Sequence, residues 1–308
     1  MRTRVISLVV SVMVLASSML GCSGGGGPDP IVVGSKIDTE GALLAHTIML
    51  LLDDAGIEVE DRSSFGPTQI VRKALISGEI DLYPEYTGNG AFFFEGTDPE
   101  VWKDAEQGYE EVARLDLDTN NIVWLQPAPA NNTWAIAVPR ALASSESLST
   151  LDDLADYVNG GGEFKIACSE EFVTSPMALP AFQQAYGFEL TDSQLLVLSG
   201  GNTAQTEQAA AQGTDGVNAA MAYGTDGSLS ALDLVVLSDP RGAQPVYQPA
   251  PIVRGEVFES YPEIADILAP AFESLTLETL QTLNARIAFE GQDAGDVALD
   301  YLTQQGFL

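Results

Sequence analysis

Ile80-Asp-Leu-Tyr-Pro-Glu-Tyr-Thr-Gly-Asn-Gly90 reads as a short apolar strand that stops at Pro84 and opens into a polar, glycine-rich loop. The spacing before it predicts an amphipathic helix from Pro67 to Ser77, closed by Gly78 in the C-cap position. Helix, glycine, strand, aromatics: this order puts Tyr83 and Tyr86 at or beyond the carboxyl end of a strand, where open α/β sheets bind ligands. The same phrase returns in Ala209-Ala-Ala-Gln-Gly-Thr-Asp-Gly-Val-Asn-Ala-Ala-Met-Ala-Tyr223, again a helix tail, glycines, a short apolar run and a terminal tyrosine. Two such half-units predict two lobes that face one crevice.

Upstream, Ile31-Val-Val33 is a β-branched strand ending at Gly34-Ser-Lys36. Asp38 or Thr39 then caps a helix to about Asp54, whose Leu43, Leu44, Ile48, Leu51 and Leu52 keep helical spacing. A strand at Ile57–Val59 completes a β-α-β-α-β order, which predicts a mostly parallel sheet. Downstream, helices over 91–94 and 99–115 and a strand Ile122–Leu125 lead to the alternating run Asn131–Val138, read as a crossover into the second lobe. That lobe continues through a helix at Leu151–Val158, a hinge-like Gly160-Gly-Gly162, and strands at Phe164–Cys168, Leu195–Leu198, Met221–Tyr223 and Leu234–Leu237. Pro245–Val253 returns to the first lobe, which ends in helices over 263–308. The expected fold is α/β, a two-lobed clamshell with two crossover strands. Lobe 1 spans residues 31–133 and 238–308, and lobe 2 spans 134–237.

The amino-terminal residues read as a processing signal. Arg2 and Arg4 precede an apolar run, Val5–Leu15, too short to span a bilayer. Met19-Leu-Gly-Cys22 resembles a bacterial lipobox, departing from it at Met19, so residues 1–21 are expected to be removed and Cys22 lipidated. The alternative is an ordinary signal peptide with a cysteine at its cleavage site. Gly- and Pro-rich residues 22–30 read as a tether. The chain would thus be held extracytoplasmically on the outer face of a bacterial membrane by its lipid. Cys168 is the second of 2 cysteines and reads as a packed strand residue. With 13 Lys+Arg against 44 Asp+Glu, a net charge of −31 makes nucleic acid and anionic lipid headgroups poor partners.

Enzyme chemistry finds no support in the motifs. The chain has 1 histidine, His46, inside the apolar pattern of the first helix. No nucleophile elbow, metalloprotease helix, phosphate loop or dinucleotide fingerprint occurs. Gly224-Thr-Asp-Gly227 lacks the later acids of a calcium loop, and neither a metal nor a cofactor is expected. The positive signal is aromatic: Tyr86, Trp134, Tyr223 and Tyr247 all fall at strand ends. Convergent ring faces attract a quaternary ammonium, which has no N–H donors, at about 0.5–2 kcal/mol per face.

These phrases resemble the substrate-binding lipoproteins of osmoprotectant ABC importers, the choline, glycine betaine, carnitine and proline betaine type. The resemblance rests on Gly34-Ser-Lys36 with Thr39-Glu40, Gly78-Glu-Ile-Asp81, Tyr83-Pro-Glu-Tyr-Thr-Gly88, Asn131-Asn-Thr133, Ala222-Tyr-Gly-Thr-Asp-Gly227, Asp233–Leu237, Ala250-Pro-Ile-Val-Arg254 and Leu283-Asn284. It implies a periplasmic-binding-protein-like (type II) fold and an aromatic cage of Tyr86, Tyr223 and Tyr247, with Trp134 where the family often has tyrosine. It also implies Asn132 bordering the cage and Lys36 holding a betaine carboxylate. Two departures stand out: Asn89 replaces a carboxylate-binding threonine, and Ser175 replaces an arginine. The anion site is thereby weakened, which favours choline over glycine betaine. Carnitine, ergothioneine, an amino acid or a polyamine are alternatives, a sensory partner could replace the permease, and a surface hydrolase is the rival from another class.

Overall fold

The computed structural model describes residues 30–198 and 203–308. The signal, Cys22 and all of the tether but Pro30 lie outside the described residues. Two five-stranded sheets form the frame. The first contains β1 (Ile31–Lys36), β2 (Val59–Gly66), β3 (Leu82–Tyr86), β4 (Ile122–Trp124) and β10 (Pro249–Arg254), in the order β2-β1-β3-β10-β4. The second contains β5 (Trp134–Pro139), β6 (Ile166–Ser169), β7 (Leu195–Leu198), β8 (Ala219–Tyr223) and β9 (Leu234–Val236), in the order β7-β6-β8-β5-β9. The two orders are the same order. In each sheet the fourth strand arrives from the other lobe and runs antiparallel to both neighbours, while β1 pairs parallel with β2 and β3, and β6 parallel with β7 and β8.

Local chemistry explains the elements. Helix α1 (Thr39–Asp54) is capped by Asp38, which accepts from the Gly41 N–H at 2.7 Å. Helix α2 (Thr68–Ser77) ends at Gly78, whose φ of 75° is left-handed. Strand β3 does not stop at Pro84, as the sequence suggested, but continues to Tyr86. Pro84 faces Pro251, and the N–H groups of Leu125 and Ala128 donate to Pro251 and Pro249 on the far edge of β10. The prolines therefore sit where the β3–β10 ladder needs no donor. Strand β2 starts at Val59 and is longer than expected. Its polar Val-Glu-Asp-Arg-Ser-Ser-Phe-Gly sequence forms an exposed edge, so hydrophobicity did not reveal it.

Each sheet is covered on both faces. In lobe 1, α1 packs with the carboxyl-terminal helices Ile264–Ser274, Leu277–Ala288 and Ala294–Gln305 through Leu44, Ile48, Leu52, Phe272 and Leu302. The opposite face buries Val71, Leu75, Tyr83, Trp102 and Val112. In lobe 2, Phe172, Phe182 and Phe188 close one face and Ala209, Ala210 and Leu229 the other. Gly160-Gly-Gly162 joins a helix to β6 inside lobe 2, with Gly162 against the Tyr157 ring, so it is no hinge between lobes.

The two connections between sheets lie side by side. Asn132 N–H donates to the Tyr247 carbonyl at 2.9 Å, Tyr247 N–H to Asn131 Oδ1 at 2.8 Å, and Thr133 Oγ1 to the Pro245 carbonyl at 2.8 Å. Among the described residues no helix is long and apolar enough to cross a membrane.

Candidate functional site

A cavity of about 580 Å³ opens between the sheets, where the carboxyl ends of β1, β3 and β8 meet the two connections. Lobe 1 lines it with Lys36, Asp38, Glu40, Thr68, Tyr86, Asn89 and Asn284; lobe 2 with Thr203, Tyr223, Thr225, Asp226 and Ser228; Asn132 and Tyr247 come from the connections.

Tyr86 is placed by β3, and Tyr247 by the Tyr-Thr-Gly turn that follows it. Thr87 Oγ1 donates to the Val246 carbonyl and its N–H to the Gln248 carbonyl. A Cβ on Gly88 would lie 2.8 Å from the Tyr247 ring, so the phenol can rest on this backbone only because residue 88 has no side chain. Tyr223 ends β8 at its exposed end, and Asp226 Oδ2 accepts from its N–H at 2.8 Å. Burial raises the phenols of Tyr86, Tyr223 and Tyr247, the last to about 12, so all three remain neutral donors with intact ring faces.

Two buried carboxyls organise lobe 1's wall. Glu40 lies in the first turn of α1 and collects the Tyr86 hydroxyl at 2.7 Å, Asn284 Nδ2 at 2.7 Å and Asn132 Nδ2 at 3.2 Å. The Thr225 side chain bonds it from lobe 2. Burial raises its pKa against the lowering effect of these bonds. Glu85, fully buried, takes Lys36 Nζ at 2.5 Å, Asn89 Nδ2 at 2.7 Å, the Tyr83 hydroxyl at 2.7 Å and the Tyr86 N–H at 2.8 Å. Lys36 Nζ also lies 4.5 Å from the centroid of the Tyr86 ring.

Of the residues singled out in the sequence, Lys36, Tyr86, Asn89, Asn132, Tyr223 and Tyr247 line this cavity together. Trp134 and Ser175 do not. Trp134 stacks on Tyr223 with centroids 4.4 Å apart and contacts Phe172 at 5.5 Å, which makes it backing for a cavity ring and not a wall. Ser175 ends the short helix Glu170–Thr174 and accepts from the Met177 N–H outside the cavity lining. Lys36 and Asn89, expected on a carboxylate, both serve Glu85. Glu40, Glu85, Asn284, Thr68, Thr203, Thr225, Asp226 and Ser228 were not anticipated. Glu40 carried a legible signal, since it precedes Leu43 and Leu44 by three and four residues and thus shares their buried helix face.

Two α/β lobes of identical strand order, joined by two paired connections with one polar cleft between them, define a type II solute-binding protein. The chain belongs to the family described as the substrate-binding domain of the ABC-type glycine betaine transport system, matched over residues 29–304. It is 56% identical over 278 residues to the glycine betaine-binding protein YehZ of Escherichia coli K12, covering 90% of this chain and 91% of that one. It is 30% identical over 302 residues to a glycine-betaine-binding protein of Pseudomonas aeruginosa, covering 96% and 94%. The solved apo structure of YehZ from Escherichia coli superposes with a TM-score of 0.88 at 55% identity, over 91% of this chain and all of that one. The family is one of extracytoplasmic solute-binding proteins that work with an ABC permease, not of enzymes. His46, beside Gly295, and Cys168, buried in β6 with its thiol pushed up to about 11, lie in different lobes.

Proposed function

We propose that this chain closes its lobes over a small quaternary ammonium compound of the betaine type and delivers it to the permease, with glycine betaine as the first ligand. The observation that carries this reading is one cavity lined, from both lobes and a connection, by the rings of Tyr86, Tyr223 and Tyr247 and the carboxyls of Asp38, Glu40 and Asp226. A trimethylammonium group cannot donate hydrogen bonds, so ring faces and unfocused negative charge suit it better than a point partner. The carboxylate of a betaine would meet Thr68, at the amino terminus of α2, and Thr203, at the amino terminus of the helix Thr203–Gln212, where helix dipoles favour an anion. The names of the Escherichia coli and Pseudomonas aeruginosa relatives support the same ligand. Closure would desolvate the cation and strengthen its attraction to the rings.

Choline is the second reading. It follows from Asn89 in place of a carboxylate-binding threonine and from the three carboxyls lining the cavity. Carnitine and ergothioneine fit the same head-group logic, whereas an amino acid or polyamine would use its N–H donors on Asp38, Glu40 and Asp226.

Isothermal titration of the chain from residue 22 with glycine betaine, then choline, then a primary amine decides among them. Saturable betaine heat with weaker choline supports the reading; tighter choline binding selects the alternative; a primary amine that outcompetes both would sink the cage. We further propose anchoring through lipid on Cys22, tested by fatty-acid labelling that Cys22→Ala should abolish.

A further inference from the structure

We propose that the Lys36 ammonium is an internal competitor for the ligand's cation, holding the Tyr86 ring face that a quaternary ammonium would take and so selecting zwitterions over choline. This rests on the cavity being the betaine site. Lys36 closes β1 and is buried at 7% exposure, with its Nζ 4.5 Å above the centroid of Tyr86. That is well within the distance of about 6 Å at which a ring attracts a cation. Glu85 fixes it there at 2.5 Å. Glu85 in turn is held by Asn89, Tyr83 and the Tyr86 N–H, and Tyr86 is held by Glu40, so neither the ammonium nor the ring is free to drift.

The resemblance assigns Lys36 to a ligand carboxylate. The geometry assigns its charge to Glu85 and its position to the ring. Two cations cannot share one face without repulsion, so a bound quaternary ammonium must push the lysine aside. A betaine brings a carboxylate that can receive the displaced ammonium. Choline brings only a hydroxyl and offers no such compensation. Lys36 therefore acts as a specificity-determining residue through its occupancy of the ring.

The test is the double variant Lys36→Ala/Glu85→Gln, which vacates the face and avoids leaving a buried carboxylate unpaired. Choline affinity should rise about fivefold over wild type, the worth of one ring face, and the preference for glycine betaine should shrink. A folded variant with weakened betaine and unchanged choline binding would make Lys36 a plain carboxylate holder and overturn the inference. If neither ligand binds wild type or variant, the reading of the cavity falls, and this inference with it. Carbon-edited NMR of wild type gives a readout independent of any substitution. The Lys36 Hε signals, shifted upfield by the Tyr86 ring, should move downfield as betaine saturates the protein; signals that stay in place at saturation would equally overturn it.

Discussion

Trp134 and Tyr223 face each other across the antiparallel β5–β8 ladder, and their rings stack 4.4 Å apart at an interplanar angle of 26°. Directly opposed aromatic pairs stabilise a sheet by about 0.2–1 kcal/mol. Here the pair also fixes a cavity residue. Trp134 reaches inward to Phe172 in the core of lobe 2, and Tyr223 stands on it at the cavity edge.

Tyr223→Ala should therefore weaken betaine binding about tenfold, the loss of one good cation–π face, while Tyr223→Phe keeps wild-type affinity. Trp134→Ala should weaken it less, by about threefold, because the Tyr223 face persists without its support. Titration calorimetry on the three folded variants orders them. A Trp134→Ala loss equal to or above that of Tyr223→Ala would return Trp134 to direct ligand contact.

Tyr86→Phe should behave differently from Tyr223→Phe. The Tyr86 hydroxyl donates to Glu40, which also holds Asn284 and Asn132. Removing it under-satisfies a buried carboxyl, and urea unfolding should show about 1–2 kcal/mol of lost stability. Glu40→Ala should cost more, about 2–3 kcal/mol, because the side chains of Tyr86, Asn132, Asn284 and Thr225 all lose this acceptor. A Tyr86→Phe protein as stable as wild type would show that this bond contributes nothing net.

Glu207 lies on the buried side of the helix Thr203–Gln212, with Asp226 and Ser228 of lobe 2 beside its carboxyl. Burial first, then Asp226, pushes its pKa up from 4.5 to about 10. The folded state then binds the proton more tightly than the unfolded state. Its stabilising contribution is complete below about 4.5 and is lost as pH rises towards 10. Burial raises Asp226 and Glu40 as well, so they act with the same sign. Glu207→Gln should match wild type near pH 4 and exceed it by at least about 1 kcal/mol at pH 8. Parallel stability–pH curves for the two proteins would remove Glu207 from the account.

The recurrence of helix, glycine, strand and terminal tyrosine was enough to anticipate two like lobes, because that order is local in the chain. The register of β5 against β8 is not local, and so Trp134 could be placed at a strand end but not behind Tyr223. Ser175 is suggested by its place in a motif, yet it accepts from the Met177 N–H and is not among the residues lining the cavity. Glu85 stood in the opening stretch without a role, since only the β1–β3 adjacency brings Lys36 to it. Long-range pairings decide which strand-end side chains share a wall, and those pairings leave little trace in periodicity.

The lobes also meet beside the cavity, through a contact that depends on having no side chain. A Cβ on Gly227 would lie 2.4 Å from the Ala285 nitrogen and 2.6 Å from the Asn284 carbonyl carbon. Both obstacles are backbone, so the short helix Gly227–Ala231 of lobe 2 would have to back away from the helix Leu277–Ala288 of lobe 1. That movement would break the bond from Asn284 Nδ2 to the Thr225 carbonyl at 2.9 Å, which ties the lobes at the cavity wall beside Glu40. Gly227→Ala should lose about 1–3 kcal/mol of stability, as overpacked sites do, and should weaken betaine binding beyond what Gly→Ala at exposed Gly96 does. Gly96 has open space around it but a φ of 84°, so it reports backbone strain without the clash. Urea unfolding and calorimetry on both variants separate the effects. Equal behaviour of the two would mean that the interlobe contact yields easily and does not hold the cavity in shape.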